Sequence, residues 1–161
     1  MRRVIVVAMV SSAFAAAGPT TIAGNGVKIS VPAGWHRVEP APTAITDPVT
    51  VLVVGTHGLR PRLVPCEVSA YRIPRAGAAI VVVRWRTETS GGGRPPRSRR
   101  PLFHVVLDAL GFECRPNHRG GAVELSLGRH AYQVNVLIGD GASQRTVDQA
   151  LGIVRTFDLR R

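Results

Sequence analysis

The chain has 161 residues, of which 45% are hydrophobic and 19% charged, and carries a net charge of +11. That apolar content excludes global disorder, and the length suits one domain. The charge favours association with polyanions or anionic envelope surfaces. Lys28 is the sole lysine among 21 basic side chains. Two causes compete for this bias. Guanidinium groups bind phosphate and carboxylate bidentately. GC-rich codon usage also enriches arginine, and it fits the abundant Ala, Gly, Pro and Val.

Residues 1–23 read as a secretory signal peptide. Arg2 and Arg3 precede an apolar run at 4–17, and small residues follow. The run is shorter than the about 20 residues that span a bilayer. Two cleavage points are open, after Ala17 and after Ala23. An uncleaved anchor or a buried helix is the competing reading. No cysteine sits just after the run, which argues against lipoprotein attachment. Export places Cys66 and Cys114 in an oxidising compartment, where two cysteines most simply pair with each other. Residues 24–161 then form a single α+β domain: an antiparallel sheet packed by a C-terminal helix, with one disulfide.

Residues 26–32 alternate, with Val27, Ile29 and Val31 on one side and Lys28 and Ser30 on the other. This predicts a half-buried strand ended by Pro32. Ala33-Gly34 turns the chain, and 39–48 is a proline-rich loop. Residues 49–56 are apolar on both faces, as in a central strand. Residues 59–65 are irregular, and 66–73 hold a short strand. The strongest strand spans 78–87. Residues 89–101 are rich in Gly, Pro and Arg and predict an exposed loop. A strand at 102–107, a local pairing at 111–114 and a loop at 115–121 follow. Residues 122–127 and 130–138 form a hairpin around Gly128-Arg129. A helix spans 143–155, with Ser143 as its N-cap and Val147, Ala150, Leu151 and Val154 on its apolar face. Phe157 and Leu159 lie on a short terminal segment.

The pattern Val31-Pro32-Ala33-Gly34-Trp35 after a short first strand resembles the start of exported domains with the PsbP/Mog1-like fold. The closing hairpin, helix and short strand are similar too. The chain after the leader also resembles uncharacterised secreted proteins of GC-rich bacteria with two similarly placed cysteines. The resemblance implies an antiparallel sheet packed on helices and no particular activity.

Catalytic and metal motifs are missing from the sequence. His36, His57, His104, His118 and His130 make no zinc spacing, and no metal or cofactor is expected. No G-x-S-x-G elbow is present. Gly91-Gly92-Gly93 lacks the G-K-[ST] ending of a phosphate loop. The concentrated feature is Arg94, Arg97, Arg99 and Arg100, interleaved with prolines. These four are a candidate anion-binding set for phosphates or acidic glycans. The competing reading is a solvated, self-repelling loop. Three functions stay open. The first is a non-enzymatic exported domain of the cell envelope, which binds an anionic polymer or another envelope protein. The second is a small-ligand carrier with an apolar pocket between sheet and helix. The third is an unrecognised hydrolase.

Overall fold

The computed structural model describes residues 18–64, 66, 68–85, 105–108, 111–112, 114–116 and 119–160. The first 17 residues, the arginine set at 94–100, His104 and His118 lie outside the described residues. The chain enters on a hairpin of β1 (Thr20–Gly24) and β2 (Val27–Val31). Its two-residue turn is Asn25-Gly26, with φ of 47° and 84°. Those left-handed angles match the twist of the flanking strands, which is why Asn-Gly suits such turns. Residue 27 on β2 is paired by β12 (Asp158–Leu159) from the C-terminus, so β1, β2 and β12 make a three-stranded antiparallel sheet.

The larger sheet has five antiparallel strands. It uses β3 (Trp35–Arg37), β4 (Val49–Thr56), β7 (Ala78–Arg84), β10 (Gly120–Leu127) and β11 (His130–Ile138), in the order β10-β11-β7-β4-β3. Two small ribbons complete the described strands. One pairs β5 (Arg60–Pro61) with β6 (Tyr71–Arg72), and the other pairs β8 (Gly111–Phe112) with β9 (Arg115–Pro116). Connections between antiparallel neighbours need only short turns. Gly128, at φ 60°, opens the turn that sets Leu127 opposite His130.

One face of the five-stranded sheet packs on α1 (Gln144–Val154) and on β2. Leu52, Val54, Ile80, Val82, Val134, Val136 and Ile138 supply it, against Val27, Ile29, Val147, Ala150 and Ile153. Fully burying such side chains gives about 1.5–3 kcal/mol each before the entropy of ordering is set against it. The helix begins where expected: Ser143 Oγ accepts a hydrogen bond from the Thr146 amide at 3.2 Å. Its buried face includes Ile153, which the periodicity reading missed, while Leu151 is half-buried.

The opposite face is also covered. Val53, Ala79, Val81, Val83 and Leu137 form a second core with Ala41, Leu59, Val68, Ala70 and Tyr71. Coverage on both sides explains the unbroken apolar runs of β4 and β7. Two amide side chains of β11 are buried in this sheet. Gln133 Nε2 donates to Asn135 Oδ1 at 2.8 Å, and Asn135 Nδ2 donates to the Val81 carbonyl at 3.0 Å. Tyr132 lies edge-on to Phe157, with ring centroids 5.5 Å apart. Burial pushes the Tyr132 phenol above its ordinary range, and the nearby Arg84 opposes that shift.

Two expectations need correction. Residues 115–121 are not one loop, because Arg115–Pro116 pairs with Gly111–Phe112 and β10 already starts at Gly120. Residues 105–107 form no strand; only Asp108 bridges to Gly120. Thr20–Gly24 is a paired strand with five registered pairs to β2, and it runs past Ala23, the later of the two cleavage points read in the sequence. The Arg37 Nη1 group donates to the Ala23 carbonyl at 3.1 Å, and Ile22 packs on the core. Removing residues through 23 would strip β1 from β2. Of the two cleavage points read in the sequence, the one after Ala17 leaves β1 in place and is the one expected. Intact-mass measurement of exported protein should give an N-terminus at Gly18, and one at Gly24 would refute this.

Candidate anion-binding cleft

The β5–β6 ribbon sets Arg60 directly opposite Arg72. Like charges in that position repel each other and destabilise a ribbon. The ribbon is held from below and behind. The Arg62 amide donates to the Ala70 carbonyl at 2.9 Å, and Arg62 Nε donates to the Ser69 carbonyl at 2.7 Å. Tyr71 is buried in the second core, and its hydroxyl accepts from the Ala41 amide at 3.0 Å. The backbone therefore holds the two arginines together despite their repulsion.

A third arginine comes from the turn after β6. The Gly77 amide donates to the Pro74 carbonyl at 2.9 Å and closes a turn with Arg75 inside it. This turn docks on the segment leaving β11. The Gly139 amide donates to the Gly77 carbonyl at 2.9 Å, and the Gly141 amide donates to the Arg75 carbonyl at 2.8 Å. A Cβ at Gly139 would collide with the carbonyl oxygens of Pro74 and Arg75. Those are backbone atoms and cannot swing away, so glycine is required there. A Cβ at Gly141 would lie 3.0 Å from Arg75 Cγ and 3.2 Å from its Nε. The arginine stem thus lies flat along the Gly141 backbone.

Between ribbon and turn runs an open cleft of about 560 Å³. Its walls carry Arg60, Arg72 and Arg75, with Asp140 at one end and Ile73 and Pro74 as its apolar surface. All three arginines are exposed, and none is paired with a described side chain. The volume falls within the roughly 300–1,000 Å³ of ordinary ligand sites.

Other places offer less chemistry. A second depression near Thr21, Lys28, Ser30 and Arg155 has one of its two cations partly offset, since Lys28 Nζ lies 4.0 Å from Asp158 Oδ2. Thr156 closes its floor, accepting from the Ser30 amide at 2.8 Å and donating to the Ile153 carbonyl at 2.7 Å. The exposed rings of His36 and His57 stand 6.2 Å apart. Among the described residues no group of three or more His, Cys, Asp or Glu side chains converges as a metal site. The space between α1 and the sheet is filled by core side chains.

Cys66 and Cys114 are bonded to each other, with Cα atoms 6.5 Å apart. The candidate set Arg94, Arg97, Arg99 and Arg100 falls outside the described residues, so the structure brings together a different trio. Sequence reasoning passed over Arg60, Arg72 and Arg75 because nothing in their spacing marks them. The local signs that existed were glycines and prolines beside them, at Gly58, Pro61, Pro74 and Gly77.

The chain matches no protein-family model and no curated protein.

Proposed function

We propose that this chain is a non-enzymatic, exported domain of the cell envelope that binds an anionic polymer. The observation that supports this most is the cleft with three exposed arginines. The net charge of +11 supports it further, since a strongly basic surface draws polyanions. The reading keeps Arg94, Arg97, Arg99 and Arg100 as additional contacts to phosphates or acidic glycans. It also keeps the PsbP/Mog1-like resemblance, because an antiparallel sheet packed by a C-terminal helix agrees with what that resemblance implies.

Binding of this kind is electrostatic and weakly selective. Each phosphate contact releases counterions, so affinity falls steeply with salt. The test is a titration with heparin and with long-chain polyphosphate at 50 and 200 mM salt. Contact with about four anionic groups predicts a loss on the order of a hundredfold between the two conditions. Changing Arg94, Arg97, Arg99 and Arg100 together to Ser is expected to weaken polymer binding and flatten its salt dependence, leaving the part carried by the cleft. Lack of binding by the wild type at 50 mM salt would end this reading. Equal binding by the quadruple variant would remove the 94–100 segment from it.

A further inference from the structure

We propose that the cleft between the β5–β6 ribbon and the 139–141 segment is a discrete binding site for a phosphomonoester on a small polyol or sugar. The inference deepens the polymer-binding reading and rests on it for the class of ligand.

Charge argues for phosphate. Arg60, Arg72 and Arg75 bring three positive charges to the cleft, and Asp140 brings one negative charge. A cluster of three arginines suits a phosphomonoester, which carries about −1.5 to −2 near neutral pH. A carboxylate, with one negative charge, leaves the arginines undercompensated. Arg60 and Arg72 repel each other across the ribbon until an anion lies between them. Guanidinium groups also fit phosphate oxygens in paired hydrogen bonds.

Size argues for an organic body on that phosphate. A volume of about 560 Å³ is far more than one phosphate group fills. Ile73 and Pro74 offer a half-buried apolar surface beside the arginines. The carbon face of a polyol or sugar can rest there while the phosphate faces the guanidiniums.

The rigidity of the site argues for a specific site rather than a diffuse patch. The backbone of the turn that carries Arg75 is held by two hydrogen bonds, from Gly77 to Pro74 and from Gly141 to Arg75, and the Arg75 stem passes close to Gly141. Gly58, at φ +87°, also lines the cleft, and a Cβ added there would lie 3.3 Å from Pro74 Cγ. Preset geometry lowers the ordering cost of binding.

The experiment is a calorimetric titration of the full exported protein with sn-glycerol 3-phosphate, inorganic phosphate and glycerate at one fixed salt concentration. Glycerol 3-phosphate is expected to bind one to one. Inorganic phosphate should bind at least threefold more weakly, and glycerate at least tenfold more weakly. Arg75→Ala should weaken glycerol 3-phosphate binding at least tenfold. Arg155→Ala, which removes the same charge outside the cleft, should leave it unchanged. A phosphate-terminated glycerol phosphate oligomer separates two sources of the same group. Competition assigns the site to a polymer end, and absence of competition assigns it to the free monoester. Equal affinity for glycerate, indifference to Arg75→Ala, or several equivalent sites per chain would overturn the proposal. Polyphosphate binding without glycerol 3-phosphate binding would overturn the site and spare the polymer reading. The reverse result would spare the site and end the polymer reading.

Discussion

Replacing Cys66 and Cys114 together by Ala is expected to destabilise the fold by about 4 kcal/mol, within a usual range of about 2–5. The bond closes a loop of 48 residues, and a cross-link of that span removes much conformational freedom from the unfolded chain. Its position adds a local effect. Cys66 lies in the segment between β5 and β6 and packs against the second core. Cys114 lies between β8 and β9, which lead into β10. The bond therefore fastens the cover of one sheet face to the approach of an edge strand. Urea unfolding of the double variant should show the loss, and wild type unfolded in reductant should match it. An unchanged midpoint in both would show that packing alone holds this cover. Total stabilities of about 5–15 kcal/mol make the expected loss a large fraction of the whole.

Phe157→Ala is expected to cost about 3–5 kcal/mol. The ring is fully buried at the joint between α1 and β12, and it meets Tyr132 edge-on. Its amide donates to the Val154 carbonyl at 3.1 Å, so the backbone is fixed there and cannot collapse into the vacated space. A cavity left by a large side chain keeps its cost when the walls cannot relax. Phe157→Leu should be milder, since it leaves less empty volume. Thermal or urea unfolding of both variants checks the order, and equal stability of Ala and wild type would refute it.

The elements that were legible in the sequence are those that carry their own local signals. The β10–β11 hairpin has a glycine-first turn between two alternating runs. The helix has a serine cap and a 3.6-residue apolar stripe. Strand β1 was obscured because Thr20–Gly24 continues the small-residue tail of the apolar run at 4–17. Asn25-Gly26 was the turn signal that would have revealed it. The cleft had no such signal. Arg60 and Arg72 are twelve positions apart and meet only because β5 pairs with β6. Asp140 comes from the far end of β11, where topology alone brings it to the β6 turn. The clustered arginines at 94–100 drew notice because they are adjacent in sequence, which is a different property from adjacency in space.

The buried amides on β11 have a consequence for how the strands choose their alignment. Strand β7 is apolar at every position from Ala78 to Val83, and the sheet is covered on both faces. Hydrophobic patterning therefore penalises a one-residue slip of β11 along β7 only weakly, although such a slip exchanges the two faces. Asn135 breaks that near-degeneracy. It faces Val81 across the ladder, and its amide reaches the Val81 carbonyl only in this alignment. A slip would leave a buried amide without its partner, at a cost of about 1–3 kcal/mol, and would disturb Gln133 as well. One polar side chain thus acts as the index mark by which two otherwise interchangeable apolar strands find a unique pairing.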